Sequence, residues 1–284
     1  MTRGLTVLLA GTLLGFFAPA EGQERPKVIS SFSIVRELVQ IVGGKEVEST
    51  GIVPPQSELH DFQLSPAHVR KLQEASLIVG MSPDLEPWLA SWAKANPTKP
   101  MVWLHEGEGN PHAWTDPQQV KTMACKLAVA LGAHAGSKES QTNAHKYLIE
   151  ISRVDETLAA LFASLPPDRR SFVAQHGNLE PFARRFGLDL CGTIHGGGGA
   201  ESADPSARHF SELLRTIRTK GVRVVVTDVG HNDAFARRLC EDSGLQAPLP
   251  LGFDSLGAPG SPGDSWCALM LLNGRKLHEA LSTR

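Results

Sequence analysis

The chain has 284 residues, 41% of them hydrophobic and 20% charged, with a formal charge of -2. That length is enough for two lobes with cores of their own. A charge so close to zero demands no large basic face, so neither nucleic acid nor an anionic membrane surface is favoured as a partner.

At the N-terminus, Arg3 precedes an apolar run from Leu5 to Phe17 that ends in Ala18-Pro19-Ala20. A charged segment, a hydrophobic segment and a small-x-small site together read as a secretory signal over residues 1–20, cut after Ala20. The run is shorter than the roughly 20 residues that span a bilayer, and no cysteine follows it to carry a lipid. A bacterial periplasm is the expected compartment. Disulfides form there, and Cys125, Cys191, Cys240 and Cys267 allow three full pairings. Cys125 falls inside an apolar helical pattern and is expected as a buried thiol; Cys240 and Cys267 are the pair expected to bridge.

Lys27 to Phe32 then reads as a strand, with Ser33 capping a helix whose Ile34, Val35, Leu38 and Val39 have helical spacing. Gly43-Gly44 ends it. Glu46 to Val53 is a second strand, and Gln56 to Phe62 a polar loop carrying His60. Ser65-Pro66 opens a helix, Ser76 to Gly80 is a short strand, Glu86 to Ala95 a helix and Met101 to Leu104 a fourth strand. The stretch Asn110-Pro111-His112-Ala113-Trp114-Thr115-Asp116-Pro117 follows. Pro111 stiffens the loop, and Asp116 with Pro117 makes an N-cap and first helical position for a helix over Gln118 to Leu131. His112 thus sits in a stiff loop just ahead of a helix, where binding groups concentrate.

From about Lys138 to Leu165 the pattern is helical without Gly or Pro, a rod of roughly 40 Å at 1.5 Å per residue. Pro166-Pro167 ends it. A second series then begins: a strand over Ser171 to Ala174, a helix around Glu180 to Phe186, a strand over Leu188 to Ile194, a helix around Pro205 to Lys220, a strand over Val222 to Thr227, a helix around Asp233 to Ser243, a strand over Leu249 to Phe253 and a last helix from about Ser265. The alternation predicts an α/β fold: two Rossmann-like lobes with mostly parallel sheets, residues 26–135 and 168–284, joined by one long rigid helix over 136–167.

In such sheets ligands gather at the carboxyl ends of the strands. His60 and His112 follow the second and fourth strands of the first lobe. His176, His195, Asp228 and Asp254 follow the four strands of the second. If both sheets present their carboxyl edges to one cleft, His60, His112, His176, His195 and Asp254 converge there, and imidazoles with a carboxylate suit a borderline divalent ion. His105 and His231 lie near the same edge and are candidate auxiliary ligands. His68, His134, His145, His209 and His278 read as surface or packing residues. Gly196-Gly197-Gly198-Gly199 lacks a following Lys-Ser/Thr, so a cleft loop beside His195 is the better reading than a phosphate loop.

Taken in order, Ser31-Phe32-Ser33-Ile34-Val35, His60-Asp61-Phe62, Leu85-Glu86-Pro87-Trp88-Leu89, Pro111-His112-Ala113-Trp114-Thr115-Asp116-Pro117, His176 ahead of Pro181-Phe182-Ala183-Arg184-Arg185-Phe186-Gly187-Leu188, and Phe253-Asp254-Ser255-Leu256 resemble the zinc and manganese solute-binding proteins of ABC importers. The resemblance covers nearly all of the mature chain. It implies two α/β lobes, a backbone helix and a metal buried between the lobes, with His60, His112 and His176 at ligand positions and Asp254 at the acidic one. His195 stands as an alternative or additional ligand, in a region where some manganese binders place a glutamate, and imidazole there would tilt the site toward zinc. The segment between Leu104 and His112 is short and carries only His105, Glu106 and Glu108 where many zinc members have a long histidine-rich loop. The resemblance therefore implies a periplasmic, non-enzymatic carrier of Zn2+, with Mn2+ the alternative ion, working as a monomer with an ABC transporter permease and its cytoplasmic ATPase. The rival reading from another class is a secreted zinc hydrolase with Asp254 or Asp228 as general base.

Overall fold

The computed structural model describes residues 24–55, 57, 59, 62–107, 109–195 and 206–283. His60, Glu108, residues 1–20 and the glycine run at 196–199 lie outside them.

In the first lobe β1 (Lys27–Ser30), α1 (Ser33–Gly43), β2 (Glu48–Gly51), α2 (Pro66–Glu74), β3 (Leu77–Gly80), α3 (Pro87–Ala95) and β4 (Met101–Trp103) alternate. Every strand pairing is parallel, in the order β2-β1-β3-β4. Two helices follow, α4 (Pro117–Ala135) and α5 (Ser140–Ala163). The second lobe then runs β5 (Ser171–Ala174), α6 (Glu180–Phe186), β6 (Asp189–Thr193), α7 (Ala207–Lys220), β7 (Val224–Asp228), α8 (Ala234–Ser243), β8 (Leu249–Leu251) and α9 (Trp266–Ser282). Its parallel order, β6-β5-β7-β8, repeats that of the first sheet. Parallel neighbours need a crossover for each connection, so all four loops after the strands of a lobe fall on one edge.

Local chemistry explains most boundaries. Ser65 and His68 close a reciprocal capping box on α2, Asp116 accepts from the Gln118 N–H ahead of Pro117, and Ser265 accepts from the Ala268 N–H at the start of α9. Each satisfies an amide that the first helical turn leaves without a partner. Gly136 ends α4 at φ 65°, a left-handed conformation that costs glycine little. The second strand is shorter than its apolar pattern suggests, because Glu46 turns away. Its carboxylate accepts from Ser137 Oγ and from the N–H groups of Lys138 and Glu139, which ties the first lobe to the link between α4 and α5.

Alternate residues of each strand enter different cores, as a sheet covered on both faces requires. Val28, Leu77 and Val79 join one cluster with α1, α4 and α5, whereas Ile29 and Ile78 join another with Leu72, Leu89 and Trp92. In the second sheet Phe172, Ala174, Val224 and Val226 meet α6 and α9, while Val173 and Val225 meet α7 and α8. The larger cluster runs without a break through both lobes, with α5, whose 24 residues span about 36 Å, along it. Arg185 of α6 forks onto the buried carboxylate of Asp155 on α5, at 2.8 and 2.6 Å. The link between the lobes is therefore a shared core as well as a rod.

Three expectations are corrected. All four cysteines are free thiols. Cys240 lies in the core on one face of the second sheet, whereas Cys267 packs against the core on the other, so the sheet itself separates the two. Cys125 is exposed rather than buried, because the inward face of α4 runs through Val120, Ala124, Leu127 and Leu131 and leaves position 125 on the far side. Finally, Ser33 does not cap α1. Its hydroxyl accepts from the Leu256 N–H of the other lobe, at 3.0 Å.

Helix α9 lies so close to α5 at Gly274 that a Cβ there would collide with Leu158 Cδ2. Leu158 is itself completely buried. Gly274→Val is expected to lower stability by about 1–3 kcal/mol through overpacking, read as a shifted urea midpoint with an unchanged slope.

Candidate metal centre

The loops after β4, β5 and β8 carry the candidate donors to one place. His112 follows β4 and immediately precedes a short turn, Ala113–Thr115, that runs into α4. Its ring is buried, 5.1 Å from the Trp114 ring and 5.3 Å from the ring of His176, centroid to centroid. His176 follows β5 in the same way, ahead of the turn Gly177–Leu179 and α6. Asp254 lies three residues beyond the end of β8. One ligand atom from each of His112, His176 and Asp254 falls within 4.8 Å of the other two. Two imidazoles and a carboxylate, contributed by both lobes and largely withdrawn from water, are a donor set that fits a borderline divalent cation.

Behind them lies a hydrogen-bonded support. Asp228, the last residue of β7, accepts from His176 Nδ1 at 2.6 Å. That contact places the ring proton on Nδ1 and the lone pair on Nε2, the arrangement in which a carboxylate orients a metal-binding histidine. The Asn178 amide donates one hydrogen to Asp228 Oδ1 at 3.0 Å and the other to Asp254 Oδ2 at 3.2 Å, and so fixes two carboxylates relative to each other. The Asp228 N–H donates in turn to Gln175 Oε1, at 3.0 Å. Gln175 precedes His176 and Asn178 lies two residues after it, and that proximity was the one signal of their part; a lone Gln or Asn near a histidine has no periodicity to mark it.

The indoles hold the two lobes in register above this group. Trp114 Nε1 donates to the Phe253 carbonyl at 2.8 Å, and Trp266 Nε1 donates to the Trp114 carbonyl at 2.9 Å. Both rings are almost wholly buried, and a buried indole N–H without an acceptor would carry a desolvation penalty. Thr115 Oγ1 reaches the Asn178 carbonyl across the cleft at 3.1 Å. Positions 112 and 254 are thus tied through their neighbours at 114 and 253.

The other strand-end residues stand apart. His195 follows β6 as expected, but it is not in the three-residue group; its N–H donates to the Gln175 carbonyl, and its Nδ1 is buried with no hydrogen-bond partner among the described residues. His105 is also outside the group, in a half-buried setting that lowers its pKa chiefly by desolvation, with Lys126 adding to the shift. His231 lies on the surface. His68 is engaged in the cap of α2, and His278 meets Ser164 Oγ. Asp228 is bound on both oxygens by His176 and Asn178, so it supports a ligand where a hydrolase would need a base facing substrate. His60 follows the shortened β2 and lies outside the described residues.

Two parallel sheets that turn their carboxyl edges toward a shared group of imidazole and carboxylate donors define a class, the two-lobed metal-binding proteins that hold solute between their lobes. Residues 28–280 match the family model of ZnuA, zinc-uptake complex component A, periplasmic, and the chain belongs to that family. It is a substrate-binding protein of the ABC metal importers, not an enzyme. The iron-binding protein YfeA of Yersinia pestis is 23% identical over 89% of this chain and 85% of its own. The manganese-binding lipoprotein MntA of Halalkalibacterium halodurans is 23% identical over 89% and 88%. The solved periplasmic zinc binding protein TroA of Treponema pallidum superposes with a TM-score of 0.82 at 19% identity, over 92% of this chain and all of its own.

Proposed function

We propose that the protein is a periplasmic carrier that captures zinc between its lobes through His112, His176, Asp254 and, from the loop after β2, His60, and hands the ion to the permease of an ABC importer driven by a separate ATPase. The observation that carries this reading is the approach of His112, His176 and Asp254 within 4.8 Å. A third imidazole from His60 completes a four-donor shell, and a closed shell leaves no open position for an activated water. Nitrogen-rich donors favour zinc over manganese, which prefers oxygen. His195 is left out of the shell. The names of the relatives span iron, manganese and zinc, so ion choice rests on the donors of this chain. Export by residues 1–20 as a cleaved signal and a monomeric state belong to the same reading; no described helix is long and apolar enough to cross a membrane.

Protein purified without added metal is expected to contain one zinc per chain by elemental analysis. In competition titration it should take zinc in preference to manganese, and more weakly as pH falls below roughly 6.5, since imidazole must shed its proton to bind. A preference for manganese, or affinity indifferent to pH between about 5 and 7, would overturn the assignment of zinc to imidazole donors.

A further inference from the structure

Asn110, two residues before His112, makes four hydrogen bonds with one amide. Its Oδ1 accepts from the backbone N–H of His112 at 3.0 Å and stands 2.9 Å from His112 Nδ1. Its Nδ2 donates to the Gly177 carbonyl at 2.7 Å and to Glu180 Oε2 at 3.0 Å, both in the other lobe. An amide oxygen and nitrogen are often interchangeable, but here they are not. The backbone N–H of His112 can only donate and the Gly177 carbonyl can only accept, so oxygen must face the first and nitrogen the second. With Oδ1 so placed, His112 Nδ1 must carry the ring proton, and the lone pair of the imidazole lies on Nε2.

We infer that Asn110 is a positioning residue that sets the tautomer of His112 and through which the approach of the two lobes steadies the orientation of its ring. This rests on the proposal that His112 is a metal ligand. Separation of the lobes at Gly177 removes both acceptors of the amide hydrogens, and the side chain that steadies the ring is then held from one side alone. The loop bearing His176, the residue before Gly177, moves with the same contact. Ion release and lobe opening are therefore coupled through a side chain that never touches the ion. Outer groups of this kind contribute about 10–100-fold to metal affinity in general.

The test compares full-length wild type, Asn110→Leu and Asn110→Asp. Leucine removes all four bonds. Aspartate keeps an acceptor for His112 but turns an oxygen toward the Gly177 carbonyl and Glu180. Zinc release into excess chelator is expected to be at least tenfold faster in both variants. Nitrogen-15 spectra of the metal-free protein should show His112 held with its proton on Nδ1 in wild type and Asn110→Asp, and mixed between tautomers in Asn110→Leu. Unchanged release from Asn110→Asp would overturn the coupling between lobes, and an unchanged tautomer in Asn110→Leu would overturn the positioning of His112. If the leucine variant does not fold, the aspartate variant decides through its release rate. If wild type binds no zinc, the carrier reading falls, and the tautomer in metal-free protein still decides whether Asn110 orients the ring.

Discussion

His176→Ala is expected to weaken zinc binding by more than about 100-fold, because loss of a ligand should exceed the roughly 10–100-fold cost of losing a group that only supports one. The same substitution takes a donor from Asp228, a buried carboxylate that accepts from His176 Nδ1 and from Asn178. A carboxylate left with fewer donors in a dry site carries a desolvation penalty of its own. The metal-free variant should therefore be destabilised as well, and urea unfolding without metal separates that contribution from the lost coordination. His112→Ala and Asp254→Ala should lose at least tenfold, about 1.4 kcal/mol each, whereas His195→Ala should leave affinity within a factor of about two. Competition against a chelator of known affinity reads all four. A loss below tenfold in His176→Ala, or a large loss in His195→Ala, would mean that the ion sits elsewhere.

What could be read in the sequence was what is decided within a few residues of chain. Asp116-Pro117, Ser65-Pro66 and Ser265 act on amides two or three positions away, and the helices they open begin where expected. The placement of His112, His176 and Asp254 after strands followed from alternation alone, because parallel strands with crossovers turn their carboxyl ends one way. What escaped was decided by partners far along the chain. Ser33 looked like a cap, and only the folded molecule brings the Leu256 N–H to its hydroxyl. Cys240 and Cys267 looked pairable until the sheet stood between them. His195 had the same strand-end credentials as His176, yet in the order β6-β5-β7-β8 only β5 lies directly beside β7. That pairing places His176 beside Asp228 of β7, whereas the loop after β6 begins one strand farther from that partner. Asn178 and Gln175 acquire their part only once Asp228 and Asp254 arrive from later strands.

Glu86 should make the stability of the metal-free protein fall as pH rises from about 4.5 to 7. It lies wholly buried at the carboxyl end of β3, where its Oε2 accepts from the N–H groups of Met81 and Ser82 at 2.7 and 3.3 Å. Burial pushes its pKa up to about 7; the nearby Ser31 hydroxyl and the bonds from the Met81 and Ser82 N–H groups act in the opposite direction and do not offset it. Above pH 4.5 the unfolded carboxyl has given up its proton while the folded one retains it to about pH 7. The folded chain then binds more protons than the unfolded one, and stability declines with rising pH across that window before levelling off. A rise of this size corresponds to about 3 kcal/mol between the two ends of the window. Glu86→Gln keeps an oxygen for both backbone donors and cannot ionise. Whatever its amide costs in the core is independent of pH, so the difference between variant and wild type isolates the carboxyl. That difference is expected to move in favour of the variant by about 3 kcal/mol between pH 4 and pH 8, measured by urea unfolding of metal-free protein at both. Glu37 bears the same sign, raised to about 7 by burial, with Asp264 and Glu150 reinforcing the shift against the lowering bond from the Trp266 N–H. A difference between Glu86→Gln and wild type that stays flat with pH would show that Glu86 ionises as an ordinary carboxyl and that the end of β3 admits water.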